Sequence, residues 1–254
     1  MGFRRRQWEE RIARVLMMAS TGLVLGSLLM ILGTVILKAL PALNLDMLTR
    51  TPQGGYYLGK AGGILNAILG SLYLASGATL LAVLLSLPIV LFINTYSTRS
   101  KVWAVQVRFS LDVLWGVPSI VYGAFGFIIM VLLGLRASLL AGILTVALLE
   151  LPIMARAMDE VIRLTPPSLI DASASLGATR LETALRVVLR QSLPGVLTAM
   201  LIAFGRGIGD AASVLFTAGF TDRIPASLNQ PAATLPLAIF FQLGSPIPEV
   251  RERA

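Results

Sequence analysis

The chain has no cysteine and no histidine in 254 residues. The first absence excludes disulfides and thiol nucleophiles. The second excludes imidazole bases, and together they remove the usual zinc sites. Any catalysis would have to run on carboxylates, Ser, Lys or Tyr, and no paired catalytic carboxylates stand out, so an intramembrane enzyme is disfavoured. Charge is scarce too: 13% of residues are charged, against about 25% in a soluble domain. Apolar residues fill the gap, at 56% of the chain, with a mean hydropathy of +0.81. This is the composition of a membrane protein. The net charge of +8 fits cationic loops at one membrane face rather than nucleic-acid binding.

A helix needs about 20 apolar residues to cross a bilayer. Five stretches qualify, at residues 13–40, 62–94, 111–135, 138–158 and 194–220, which predicts an all-α polytopic membrane bundle. The first is too long for a signal-peptide core and has no convincing cleavage site, so it reads as a span. Pro88 in the second predicts a kink or an extension past the membrane, and Pro118 lies in the third. Lys and Arg cluster in the tail (Arg4, Arg5, Arg6, Arg11, Arg14), after the second span (Arg99, Lys101, Arg108) and after the fourth (Arg156, Arg163, Arg180, Arg186, Arg190). That bias predicts a cytoplasmic amino terminus and a cytoplasmic loop between spans four and five. The tail arginines also suit anionic lipid. Residues 233–243 are apolar but too short to cross.

The loop after span four is the most distinctive part of the chain. Ile170, Ala174, Leu176, Leu181, Leu185, Val188 and Leu189 alternate with Arg and Glu. The pattern predicts two short amphipathic helices hinged at Gly177, a residue that tolerates left-handed backbone angles. Such a hairpin either lies on the lipid surface or is a handle for another protein.

Asp171-Ala172-Ser173, then Gly177, then Val187-Val188-Leu189 resemble the Glu-Ala-Ala…Gly…Ile-x-Leu-Pro loop of bacterial ABC importer permeases. Asp171 stands for Glu, Ser173 for Ala, and Arg190 for the usual Pro. Gly116-Val117-Pro118-Ser119-Ile120-Val121-Tyr122-Gly123, Leu151-Pro152-Ile153 with Arg156, Ser175-Leu176-Gly177-Ala178-Thr179-Arg180 and Arg206-Gly207-Ile208-Gly209-Asp210-Ala211-Ala212 are similar to ordered motifs of phosphate importer permeases. Gly62-Gly63-Ile64-Leu65-Asn66-Ala67-Ile68 is similar to the PstA-type half of that pair rather than the PstC-type half. The resemblance implies a type I ABC permease fold with six spans, the last of them absent here. It divides the chain into a cytoplasmic tail (1–12), a first span with its external loop (13–61) and a permease domain (62–254) with a coupling loop at 158–193. It also implies a multi-pass inner-membrane subunit with no cofactor of its own. Its partners would be a second, PstC-type permease, an ATPase dimer carrying ATP and Mg, and an extracytoplasmic phosphate-binding protein. Asp171, Ala172, Ser173, Gly177, Ala178 and Arg180 would contact the ATPase. Carriage of sulfate, molybdate or tungstate, or ion-coupled transport without ATP, are the competing functions.

Arg206 falls near the middle of span five, where a lone Arg costs about 2.5–3.5 kcal/mol on insertion scales. Asp210, four residues on, is placed to pair with it. The pair either locks helix packing or forms an anion path in which Asp210 tempers an arginine fork. Gly205, Gly207 and Gly209 would admit a close neighbour. Arg156 either snorkels to the interface or lines the path. Glu150, inside span four, reads as structural, with an Arg across the helices as its possible partner. Gly63, Gly70 and Gly77 recur every seven residues as a close-packing stripe, against this chain or a second permease. Residues 54–61, GGYYLGKA, nearly spell a phosphate loop. Ala61 lacks the hydroxyl that would hold magnesium and no strand precedes it, so nucleotide binding there is rejected.

Overall fold

The computed structural model describes residues 2–40, 43–53, 62–96, 101–247 and 250–251. The phosphate-loop look-alike at 54–61 lies outside the described residues. The chain forms two compact units, one ending at Leu45 and one beginning at Asp46. The first is essentially one helix, α1 (Gly2–Ala39). It starts earlier than the apolar run because its polar first turns are themselves good helix formers, with Arg14 paired to Glu10 at 2.9 Å.

The described elements of the second unit are helices. A short α2 (Leu45–Thr49) precedes α3 (Leu65–Thr95), which stays one helix across Pro88. After it come α4 (Lys101–Trp115), α5 (Ser119–Leu132) and α6 (Leu139–Arg163). The centre of the unit is α6, most of whose span is buried by its neighbours. Ser138 caps it by accepting the Ala141 N–H at 3.3 Å.

In lipid, apolar burial supplies little drive between helices, so small residues and close packing hold the bundle together. Ala67, Ala75, Ala78 and Ala82 form a fully buried alanine face on α3. A Cβ on Gly70 would overlap the Ala233 carbonyl, and one on Gly77 would come within 2.7 Å of Ile143. Gly63 is wedged against the backbone carbonyls of Met47, Arg50 and Asp46. This glycine stripe therefore packs within the chain.

Two expected spans are corrected. The third, 111–135, is not one helix: α4 and α5 meet at a 97° bend. Pro118 is the cause, and it breaks a span rather than packing inside one. It adopts φ −59°, ψ 140° and starts α5 from outside, while its ring keeps Val117 from helical angles. The fifth span is helical well before residue 194 and stops well before 220. A rod runs from α8 (Arg180–Glu182) through a π-helical turn (Thr183–Val188) into α9 (Leu189–Gly209). Successive turns over 212–218 follow it. The last helix, α10 (Leu235–Leu243), has nine residues, too few to cross.

The loop after span four is also shorter than 158–193. Helix α6 continues to Arg163, then α7 (Pro167–Ser175) follows. Gly177 turns the chain at φ +80°. The predicted second short helix is instead the beginning of the α8–α9 rod. Thr179 and Glu182 form a reciprocal capping box there, and no residue stops the helix before Gly209.

Candidate functional site

Two glycine contacts set α9 antiparallel to α6. Gly195 sits against Val161, and Gly207 sits against Glu150. Twelve residues on one helix match eleven on the other. Glu150 is midway along α6, so α9 ends level with the middle of the central helix. The turns at 212–218 cover the remaining half, and Thr217 O accepts the Ser138 N–H at 2.9 Å at the start of α6. Non-helical backbone at that depth is tolerated only inside protein or beside a water-filled cavity. Ser213, Val214, Thr217 and Ala218 are all buried.

Arg206 stands in the last turn of α9, where a cation is favoured by the helix dipole. Its side chain is exposed in this chain, and no hydrogen bond or ion pair engages it among the described residues. The expected pair with Asp210 is not formed. Asp210 leaves the helix at φ −86°, ψ 120°, which ends the i, i+4 relationship, and its carboxylate accepts the Ser213 N–H at 2.9 Å. A Cβ on Gly205 or Gly209 would meet nothing within 4 Å, whereas one on Gly207 would overlap Glu150. Within this chain, then, Gly207 is the close-packing glycine of the three. The other two leave the backbone around Arg206 uncovered.

Glu150 is fully buried, and neither carboxylate oxygen has a hydrogen-bond partner. The Thr79 hydroxyl of α3 lies alongside without closing a hydrogen bond.

Arg156 belongs to a different cluster, nearer the Arg163 end of α6. It bridges Asp112 at 3.1 Å, Glu160 at 3.5 Å and Asp159 at 3.7 Å. Asp159 is fully buried. It accepts Arg108 Nε at 2.7 Å, Arg108 Nη2 at 3.0 Å and Asn94 Nδ2 at 2.7 Å. Helices α3, α4 and α6 are tied together at this point. Arg156 has its charge engaged by carboxylates, while Arg206 does not.

The segment between α6 and α9 forms a third site. Asp171, Ala172, Gly177 and Arg180 are exposed, Ala178 is partly covered, and Ser173 is buried. The Ser173 and Thr183 hydroxyls are 2.9 Å apart, which pins α7 to the base of the rod. Leu176 projects at the hinge with 89% of its surface exposed.

Residues 96–244 match the family described as binding-protein-dependent transport system inner membrane component. This chain belongs to that family. The permease is 34% identical over 246 residues to phosphate transport system permease protein PstA of Yersinia pestis, covering 96% of this chain and 82% of the relative. It is 33% identical over 217 residues to PstA of Haemophilus influenzae, covering 85% and 75%. It is 36% identical over 190 residues to PstA 1 of Mycobacterium tuberculosis, covering 73% and 61%. Family membership and the apolar helices make it a multi-pass inner-membrane component of a transport system. Such a component is not itself catalytic.

Sequence reading had singled out Arg206, Asp210 and Arg156 but missed Asn94, Arg108, Asp112 and Asp159. Asn94 at the end of an apolar run and Asp159 three residues after Arg156 were the available signals. The contact between Glu150 and Gly207 had no signal in spacing, because it joins residues of two distant helices.

Proposed function

We propose that this permease is one transmembrane half of an ATP-driven phosphate importer. The relatives named as phosphate transport permeases support the substrate. The observation that carries the reading is Arg206: a guanidinium without a counter-charge among the described residues, at the broken end of α9, level with the middle of the central helix. Discontinuous helices at the bilayer midplane are where transporters build substrate sites. A guanidinium fork suits a tetrahedral oxyanion.

The remaining path is completed by a second permease. Exposed Gly205 and Gly209 let that partner approach the Arg206 turn closely. The amino terminus and the α6–α9 segment face the cytoplasm, where Lys and Arg are concentrated. An ATPase dimer carrying ATP and Mg seats α7, Leu176 and the Asp171–Arg180 stretch. An external binding protein delivers phosphate. Closure of the ATPases pushes the hinge at Gly177. Because the rod from Arg180 to Gly209 is continuous, that push reaches Arg206 directly and alternates access.

Phosphate uptake by the reconstituted assembly tests this. Arg206→Gln is expected to abolish uptake while the complex still assembles; uptake near the wild-type rate would overturn the reading. Competition with sulfate, molybdate and tungstate identifies the anion.

A further inference from the structure

We infer that Glu150 is the counter-charge that takes Arg206 in the other state of the transport cycle and so drives release of the anion. The inference rests on the reading of Arg206 as the anion site. Its observations are the two ionisable side chains left without partners. Glu150 is buried with both oxygens unpartnered, and Arg206 has no partner among the described residues.

Gly207 touches Glu150, and Arg206 is the residue just before Gly207. One residue of α-helix is about 100° of rotation. A turn of α9 by roughly that angle replaces Gly207 with Arg206 in front of the carboxylate. The missing Cβ at Gly207 keeps the passage open.

Among the described residues no other cation on the surrounding elements serves: Lys101 opens α4, and Arg163 on α6 and Arg190 on α9 stand 13 residues from Glu150 and 17 from Gly207. Helices α3 and α5 contain no charged residue. Arg108 on α4 and Arg156 on α6 are committed around Asp159. Asp112 on α4 and Asp210 on α9 carry the wrong sign, and Asp210 is held by Ser213.

A carboxylate and an oxyanion compete for the same fork of donors. With α9 as seen, Arg206 is free to hold the anion and Glu150 is without a partner. With α9 turned, the guanidinium satisfies Glu150 and leaves no charge for the anion. Glu150 is therefore a positioning residue for Arg206 rather than a ligand of the substrate.

The cysteine-free chain permits a direct geometric test. Glu150→Cys with Arg206→Cys is cross-linked in the complete importer, nucleotide-free and arrested with ATP and vanadate. Intrachain products are then identified by mass spectrometry. The 150–206 link is expected several-fold stronger in one state, with the 150–207 pair (Glu150→Cys with Gly207→Cys) showing the opposite preference. A 150–206 link absent from both states, or equal in both, overturns the inference. The second measurement uses Glu150→Gln. Its maximal uptake per assembled importer is expected to fall at least tenfold, with no rise in the half-saturating phosphate concentration. Wild-type uptake in that variant overturns the inference, and the phosphate reading still stands if Arg206→Gln is inactive. If Arg206→Gln transports normally, the phosphate reading itself falls. Should Glu150→Gln fail to assemble, the cross-linking result decides.

Discussion

Arg108 grips Asp159 at two points, Nε at 2.7 Å and Nη2 at 3.0 Å, and so ties α4 to α6. Asp159 is fully buried, and Arg108 is 21% exposed. Removing Arg108 leaves the buried Asp159 with only Asn94 and the longer Arg156 contact, and breaking such a pair costs up to about 3–5 kcal/mol. Arg108→Ala is expected to lower the unfolding free energy of the purified permease in detergent by up to that amount. A loss below about 1 kcal/mol would show the pair to be worth no more than a surface ion pair.

Gly70 and Gly205 predict opposite outcomes for the same substitution. A methyl group on Gly70 meets the backbone of Ala233, which cannot swing aside as a side chain could. Gly70→Ala is expected to destabilise by about 1–3 kcal/mol through overpacking. Gly205 faces open space, so Gly205→Ala is expected to gain about 0.5–1 kcal/mol of helix stability in the isolated chain. Detergent unfolding of the two variants compares them. If Gly205→Ala then impairs assembly of the importer, the open face is a subunit contact.

Leu176, at the hinge of the α6–α9 segment, allows folding and the proposed ATPase docking to be tested separately. Leu176 is almost wholly exposed, and its replacement by Asp is expected to leave chain stability within about 0.5 kcal/mol. Co-purification of the ATPase should nevertheless be lost. Retention of the ATPase by Leu176→Asp would move the docking surface elsewhere.

The start of the rod depends on a local device. Thr179 accepts the Glu182 N–H at 3.3 Å, and Glu182 accepts the Thr179 N–H at 3.0 Å. Thr179→Ala is expected to cost about 0.5–2 kcal/mol. Hydrogen exchange should show faster exchange over residues 180–188 and little change at the core of α6. Unchanged protection over 180–188 would mean that tertiary contacts alone hold the rod's base.

The charge of Arg206 and its fork are separable. Arg206→Lys keeps the charge but loses the planar pair of donors. Its uptake is expected to lie between wild type and Arg206→Gln, about tenfold below wild type for each 1.4 kcal/mol of lost interaction. Uptake equal to wild type would show that a point charge suffices.

Much of this permease is legible along the chain. Runs of apolar residues foretold the membrane helices, because the hydrocarbon thickness imposes a minimum length on each. Gly177 foretold the hinge, since a positive φ demands a residue without Cβ. Pro118 was visible too, but whether it would kink or break a helix depended on packing. Pro118 breaks the helix, and α4 and α5, meeting at 97°, each pack on α6.

Sequence by itself determined the membrane class, the hinge, the polar segment between α6 and α9 and the family motifs, all of which depend on residues close together in the chain. Tertiary structure alone decided that α9 ends halfway, that Asp210 turns to Ser213 instead of Arg206, that Arg156 is engaged by carboxylates, and that Glu150 faces Gly207. The physical reason is that a buried charge is governed by what stands across from it. That neighbour comes from a helix tens of residues away, at a register set only when close-packed glycines let the helices meet.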